Sequence, residues 1–87
     1  MTPNKFLVKM IKRYNLSQIH AAKLCGQSFS SISHYRRNTR SIKIDVLEVF
    51  MRNLAKLVNS QSDMIDYDLT DFEDLKYKLK YKSVNAS

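Results

Sequence analysis

Glycine, proline and cysteine occur once each in these 87 residues, and tryptophan does not occur at all. One glycine and one proline leave too few turn residues for a sandwich of many short strands. One cysteine allows no intrachain disulfide and no cysteine-based zinc cluster. Uncharged apolar runs stop after three or four residues. The sequence therefore predicts no membrane span and no secretory leader, and a cytoplasmic protein is the expectation. A chain this short forms one domain at most and buries roughly 60–65% of its unfolded surface, too little for a deep substrate cleft. Acids are scarce too: 8 Asp+Glu stand against 15 Lys+Arg, a net charge of +7. That balance points to a polyanion, although acidic small molecules or a membrane surface fit it as well. A hydrophobic share of 44% is normal for a folded domain and too high for a disordered tail.

The charge is unevenly placed. Residues 1–59 carry eleven Lys+Arg and only Asp45 and Glu48 as acids, whereas residues 60–87 carry six acids between Asp63 and Asp74 followed by four Lys from Lys76 to Lys82. The sequence divides at this point into a basic domain, 1–59, and a C-terminal tail, 60–87.

Thr2-Pro3 opens a first helix, with Thr2 as N-cap and Pro3 in the first turn. Phe6, Leu7, Met10, Ile11 and Tyr14 follow at helical spacing, with Lys5, Lys9, Lys12 and Arg13 off that stripe, to an end near Asn15. Ser17 caps a second helix that Gly26 stops, and the eight residues between are too few to be stable without neighbours. Ser28 or Ser30 caps a third helix to about Asn38, with Ile32 and Tyr35 on one side. A fourth runs from about Lys43 to Asn59. Its apolar residues cover more than one face, and the surplus face suggests a partner helix, most simply from a second copy of the chain.

The tail reads two ways. Thr70-Asp71-Phe72-Glu73 is a capping box, and Phe72, Leu75 and Leu79 form a helical stripe. Leu75 to Lys82 also alternates strictly, as does Ile65 to Leu69, and a hairpin would set Asp66 and Asp68 beside the lysines. The helix is preferred. The acidic stretch makes no calcium loop, because the turn glycine is missing.

Gln18, Ala22, Gly26, Ile32 and Tyr35 carry the functional reading. Two short helices meet closely at Ala22, turn at Gly26, and are plugged by Ile32 and Tyr35. Gln18, at a helix start, is placed to donate to a backbone phosphate. From Gln18 to Arg37 the chain resembles the helix-turn-helix of the Cro and lambda-repressor family, common in phage, plasmid and antitoxin regulators. The resemblance covers roughly residues 3–58. It implies an all-α domain of four to five helices, followed by a C-terminal helix or short β-hairpin, with residues 28–37 as a recognition helix in the major groove of double-stranded DNA.

In one respect the sequence departs from the family. Gln27 stands where an aliphatic residue usually follows the turn glycine, and Phe29 where a polar residue usually begins the recognition helix. Either the apolar plug has moved to Phe29, the preferred reading, or Phe29 faces DNA and touches a thymine methyl. With Ile32 and Tyr35 inward, the opposite face presents Ser30, Ser33, His34 and Arg37, with Ser28 and Ser31 near its edge. Arg37 suits bidentate reading of guanine. Arg36, Arg40 and Lys43 cluster where phosphates run alongside.

Blander roles fit other residues. His34 can be a plain surface residue, His20 is a surface or partly buried one, and Cys25 fills a small core gap. The spacing of His20, Cys25 and His34 makes no metal set. No Gly-rich phosphate loop, nucleophile elbow or paired carboxylate is present, so neither an enzyme nor a cofactor is expected. The expectation is a DNA-binding regulator, a repressor of phage or mobile-element type, that binds a palindromic operator as a homodimer. The alternative is an antitoxin-type or other interaction module whose acidic tail binds a protein partner.

Overall fold

The computed structural model describes residues 2–58 and 70–79. Four helices follow one another as α1 (Pro3–Arg13), α2 (Gln18–Cys25), α3 (Phe29–Arg36) and α4 (Ile44–Val58). A fifth, α5, spans residues 70–79, and no strand occurs among the described residues.

Each of the first three helices begins on a hydroxyl. Thr2 accepts from the Lys5 N–H at 3.2 Å, Ser17 from His20 at 3.0 Å and Ser28 from Ser31 at 3.1 Å, so each satisfies one otherwise unpaired amide. Each of the three is followed by a left-handed residue: Asn15 (φ 52°), Gly26 (φ 66°) and Asn38 (φ 60°). The flanking bonds repeat the same paired closure: Leu16 to Ile11 and Asn15 to Lys12, Gln27 to Ala22 and Gly26 to Lys23, Thr39 to His34 and Asn38 to Tyr35. This is the Schellman arrangement. A chain with one glycine makes the other two closures with asparagine, the residue that tolerates this conformation next best.

Phe6, Leu7 and Met10 from α1, Ala21, Ala22 and Cys25 from α2, Ile32 and Tyr35 from α3, and Leu47, Phe50, Met51 and Leu54 from α4 close one core. Burial of each large side chain contributes about 1.5–3 kcal/mol before the entropy of ordering it. The short α2 is held between α3 and α4. Asn53 of α4 donates to the last-turn carbonyl of Leu24 at 2.8 Å, closing the end of α2 from outside.

Where it is described, the tail takes the preferred of its two readings. Residues 70–79 are helical, so the alternating lysines there do not form a hairpin strand. Phe72 and Leu75 are buried in the same core as α1 and α4, and the Phe72 ring lies 5.7 Å from that of Phe6. Burying these two side chains favours the capping-box reading over the alternating one. The division at residue 60 is therefore not a boundary for 70–79. Lys76 bridges to Glu48 at 3.3 Å and lies 5.5 Å over the Phe72 ring, and Lys9 meets Asp71 at 3.6 Å. Part of the surplus apolar face of α4 is thus covered by the chain's own helix, not by a second copy. The expectations for Ile65 to Leu69, the acids Asp63, Asp66 and Asp68, and Lys80 to Lys82 lie outside the described residues.

Candidate nucleic-acid interface

No Asp or Glu precedes Asp45, while nine Lys and Arg do. Within that acid-free stretch, α3 buries Ile32 and Tyr35 and exposes Ser30 and Arg36, and its C-cap Arg37 is exposed as well. Ser33 and His34 are half-buried on the outward side. The α2–α3 connection is only Gly26, Gln27 and Ser28. A Cβ at Gly26 would meet nothing within 4 Å, so the glycine is required by its positive φ and not by crowding.

Four polar contacts tie this face together. The Gln18 amide donates to the Phe29 carbonyl at 3.3 Å and accepts from Arg36 Nη1 at 3.0 Å. It thereby bolts the start of α2 to both ends of α3. Its amide nitrogen carries a second hydrogen, which suits the phosphate contact expected from sequence. Arg40 Nη1 donates to Ser31 Oγ at 3.2 Å, and Ser28 Oγ donates to the same oxygen at 3.0 Å. Ser31 is only 8% exposed. Its hydroxyl anchors Arg40 against the first turn of α3 and is not an outward reader. Ser28 is exposed but engaged as the cap.

His34 Nδ1 lies 2.9 Å from Thr39 Oγ1, and that hydroxyl donates back to the His34 carbonyl at 3.2 Å. Arg37 Nε makes a long 3.4 Å bond to the Ser33 carbonyl one turn back. Lys43 is exposed, and its carbonyl accepts from Val46 and Leu47 to start α4.

The segment that carries Arg37, Arg40 and Lys43 is held from a distance by a residue that sequence reading passed over. Asn4 of α1 is 5% exposed. Its Nδ2 faces the carbonyls of Arg40 (2.7 Å) and Tyr35 (3.3 Å) and the Asn38 side chain (3.0 Å), while its Oδ1 accepts from the Ile42 N–H at 2.8 Å. No sequence signal marks a contact 31–38 residues away. Lys5 was also missed: it lines a shallow hollow of about 250 Å³ with Arg36 and Asn38. Ile19, next to Gln18, is 60% exposed.

Phe29 corrects an expectation. It is 54% exposed, so it does not plug the crossing of α2 and α3; Ile32 and Tyr35 do that without it. At 3.6 residues per turn Phe29 stands about 60° round the helix from Ile32 and about 120° from Tyr35, so it lies at the edge of the face they fill and not at its centre.

The acids lie elsewhere. Asp45, Glu48, Glu73 and Asp74 line an open groove of about 750 Å³ between the start of α4 and α5, with Lys76 among them. Among the described residues no cluster of His, Cys, Asp or Glu could hold a metal ion. Burial pushes the Cys25 thiol up to about 12, so it is not a nucleophile at neutral pH. No described helix is long and apolar enough to cross a membrane. No protein-family model, curated protein or solved structure matches the chain.

Proposed function

We propose that the chain is a sequence-specific DNA-binding regulator of the lambda-repressor-like helix-turn-helix kind, and that it acts as a repressor. The observation that carries this reading is the Gln18–Phe29–Arg36 tie, which fixes the starts of α2 and α3 on one acid-free, arginine-rich face. A helix laid in the major groove needs such a face, with its first turns held rigidly and cations flanking it. In this reading α3 enters the groove. Ser30, Ser33, His34 and Arg37 meet base edges, with Arg37 suited to guanine. Arg36, Arg40, Lys43 and the Gln18 amide meet phosphates. Two copies on a palindrome supply the specificity that one short helix lacks, and bound protein excludes polymerase. The surface of α4 around the exposed Val49 is the dimer contact.

The acidic-tail alternative has less to rest on. Asp71 and Glu73, in the described half of the acidic stretch, already face Lys9 and Lys76.

Titration of a labelled duplex at several salt concentrations tests the proposal. Three cations on phosphates in each of two copies give log K against log[salt] a slope of about −5. A slope near zero, or no binding at low salt, contradicts it.

A further inference from the structure

Phe29 is a large apolar side chain that the core does not use. It is the first residue of α3, 54% exposed, and lies between two exposed serines, Ser28 and Ser30. Its backbone is fixed from two sides: the Gln18 amide holds its carbonyl, and the Ser28 cap holds the turn. An exposed aromatic on a rigid helix start leaves about half its surface to water with no compensating contact in the free protein.

The chemistry of the major groove limits what such a ring can meet. Every base edge there presents hydrogen-bonding atoms, and the one apolar group is the C5-methyl of thymine. Against guanine, adenine or the cytosine amino group, a phenyl ring would remove water from a polar atom and return no hydrogen bond. Against a C5-methyl it buries apolar surface on both sides. We infer that Phe29 is a specificity-determining residue that reads a 5-methylpyrimidine, thymine or 5-methylcytosine, at the base pair beneath the start of α3. This rests on the DNA-binding reading and adds to it what the helix start selects. It also assigns the first turn a role distinct from that of Arg37, one helical stretch further along.

The test uses the full chain and a duplex selected by it from a random pool. Each thymine is replaced in turn by deoxyuridine, which removes only the methyl group. At one position per half-site, affinity should fall about fourfold, the worth of one buried methyl. Phe29→Ala should bind the thymine and uracil duplexes equally well and keep the wild-type salt slope; its exposed position makes it safe for folding, which circular dichroism checks. Placing 5-methylcytosine at that position should bind more tightly than cytosine, and by a similar factor. If the wild type binds its duplex but no uracil substitution weakens it, or if Phe29→Ala still distinguishes thymine from uracil, the inference is overturned while DNA binding stands. If no duplex is selected at all, the DNA-binding reading falls and this one with it.

Discussion

Asn4 uses both ends of one amide to hold residues 35–42 against α1, and it does so where water is excluded. Asn4→Ala leaves the Ile42 N–H and the Arg40 carbonyl without partners, so urea denaturation should show a loss of about 1–3 kcal/mol. Asn4→Asp should be no better, because a carboxylate would face two carbonyl oxygens. Gly26→Ala meets no steric obstacle and fails only through its φ of 66°, so its cost should stay at about 1–2 kcal/mol. Cys25 makes stability depend on alkaline pH. Its folded thiol keeps its proton up to about 12, while the ordinary value is 9.0. Between these values the unfolded chain binds fewer protons than the folded one, and stability falls as pH rises, by up to about 1.4 kcal/mol per pH unit. Cys25→Ala lacks this component, so the difference between wild type and variant in denaturation midpoint should shrink from pH 9 upward; a difference independent of pH would mean that the thiol is not desolvated. These residues differ in how readable they were. Gly26 is legible because a lone glycine after an eight-residue helix is a local signal. Asn4 is not, since its partners are set by how α1 meets the α3–α4 segment.

At the scale of elements, α2 was legible to the residue because its limits are local: Ser17 and Gly26 each act within one turn, whereas α3 was legible in place but its start lay open between Ser28 and Ser30 and it ends at Arg36, short of Asn38. Asn15 and Asn38 as left-handed closures were less legible, since asparagine also occurs in many other settings. α5 was ambiguous because 70–79 carries both a capping box and strict alternation; packing on Phe6 decides between them, and that contact spans 66 positions of the chain. Phe72→Ala should therefore cost about 3–5 kcal/mol, as a core residue does. A loss below about 0.5 kcal/mol, the range of surface changes, would show α5 to be an appendage. Within the interface, Gln18 and Arg36 act as one unit. Gln18→Ala and Arg36→Ala should be non-additive in operator affinity, with a coupling of about 0.5 kcal/mol or more, and strict additivity would dissolve the tie. The arginines divide by placement. Arg37→Ala should relax base preference and cost about 1–3 kcal/mol, whereas Arg40→Ala should weaken all sequences alike and reduce the salt slope.

Over the whole molecule, a net charge of +7 understates the asymmetry: the first 44 residues carry nine cations and no acid, and the described acids gather on α4 and α5. That separation was legible in sequence; its joining into one face by Gln18, Arg36 and Arg40 was not, because those pairs lie 18 and 9 positions apart. Dimerisation belongs to this scale as well. Val49→Lys should leave the fold intact and lower operator affinity by weakening the paired state, which sedimentation of the free protein and of the complex checks. The most direct test of the central claim is selection of bound duplexes from a random DNA pool by the full chain, followed by footprinting. The account predicts an enriched palindrome with half-sites about one helical turn apart. A pool with no enriched sequence after repeated selection would contradict it.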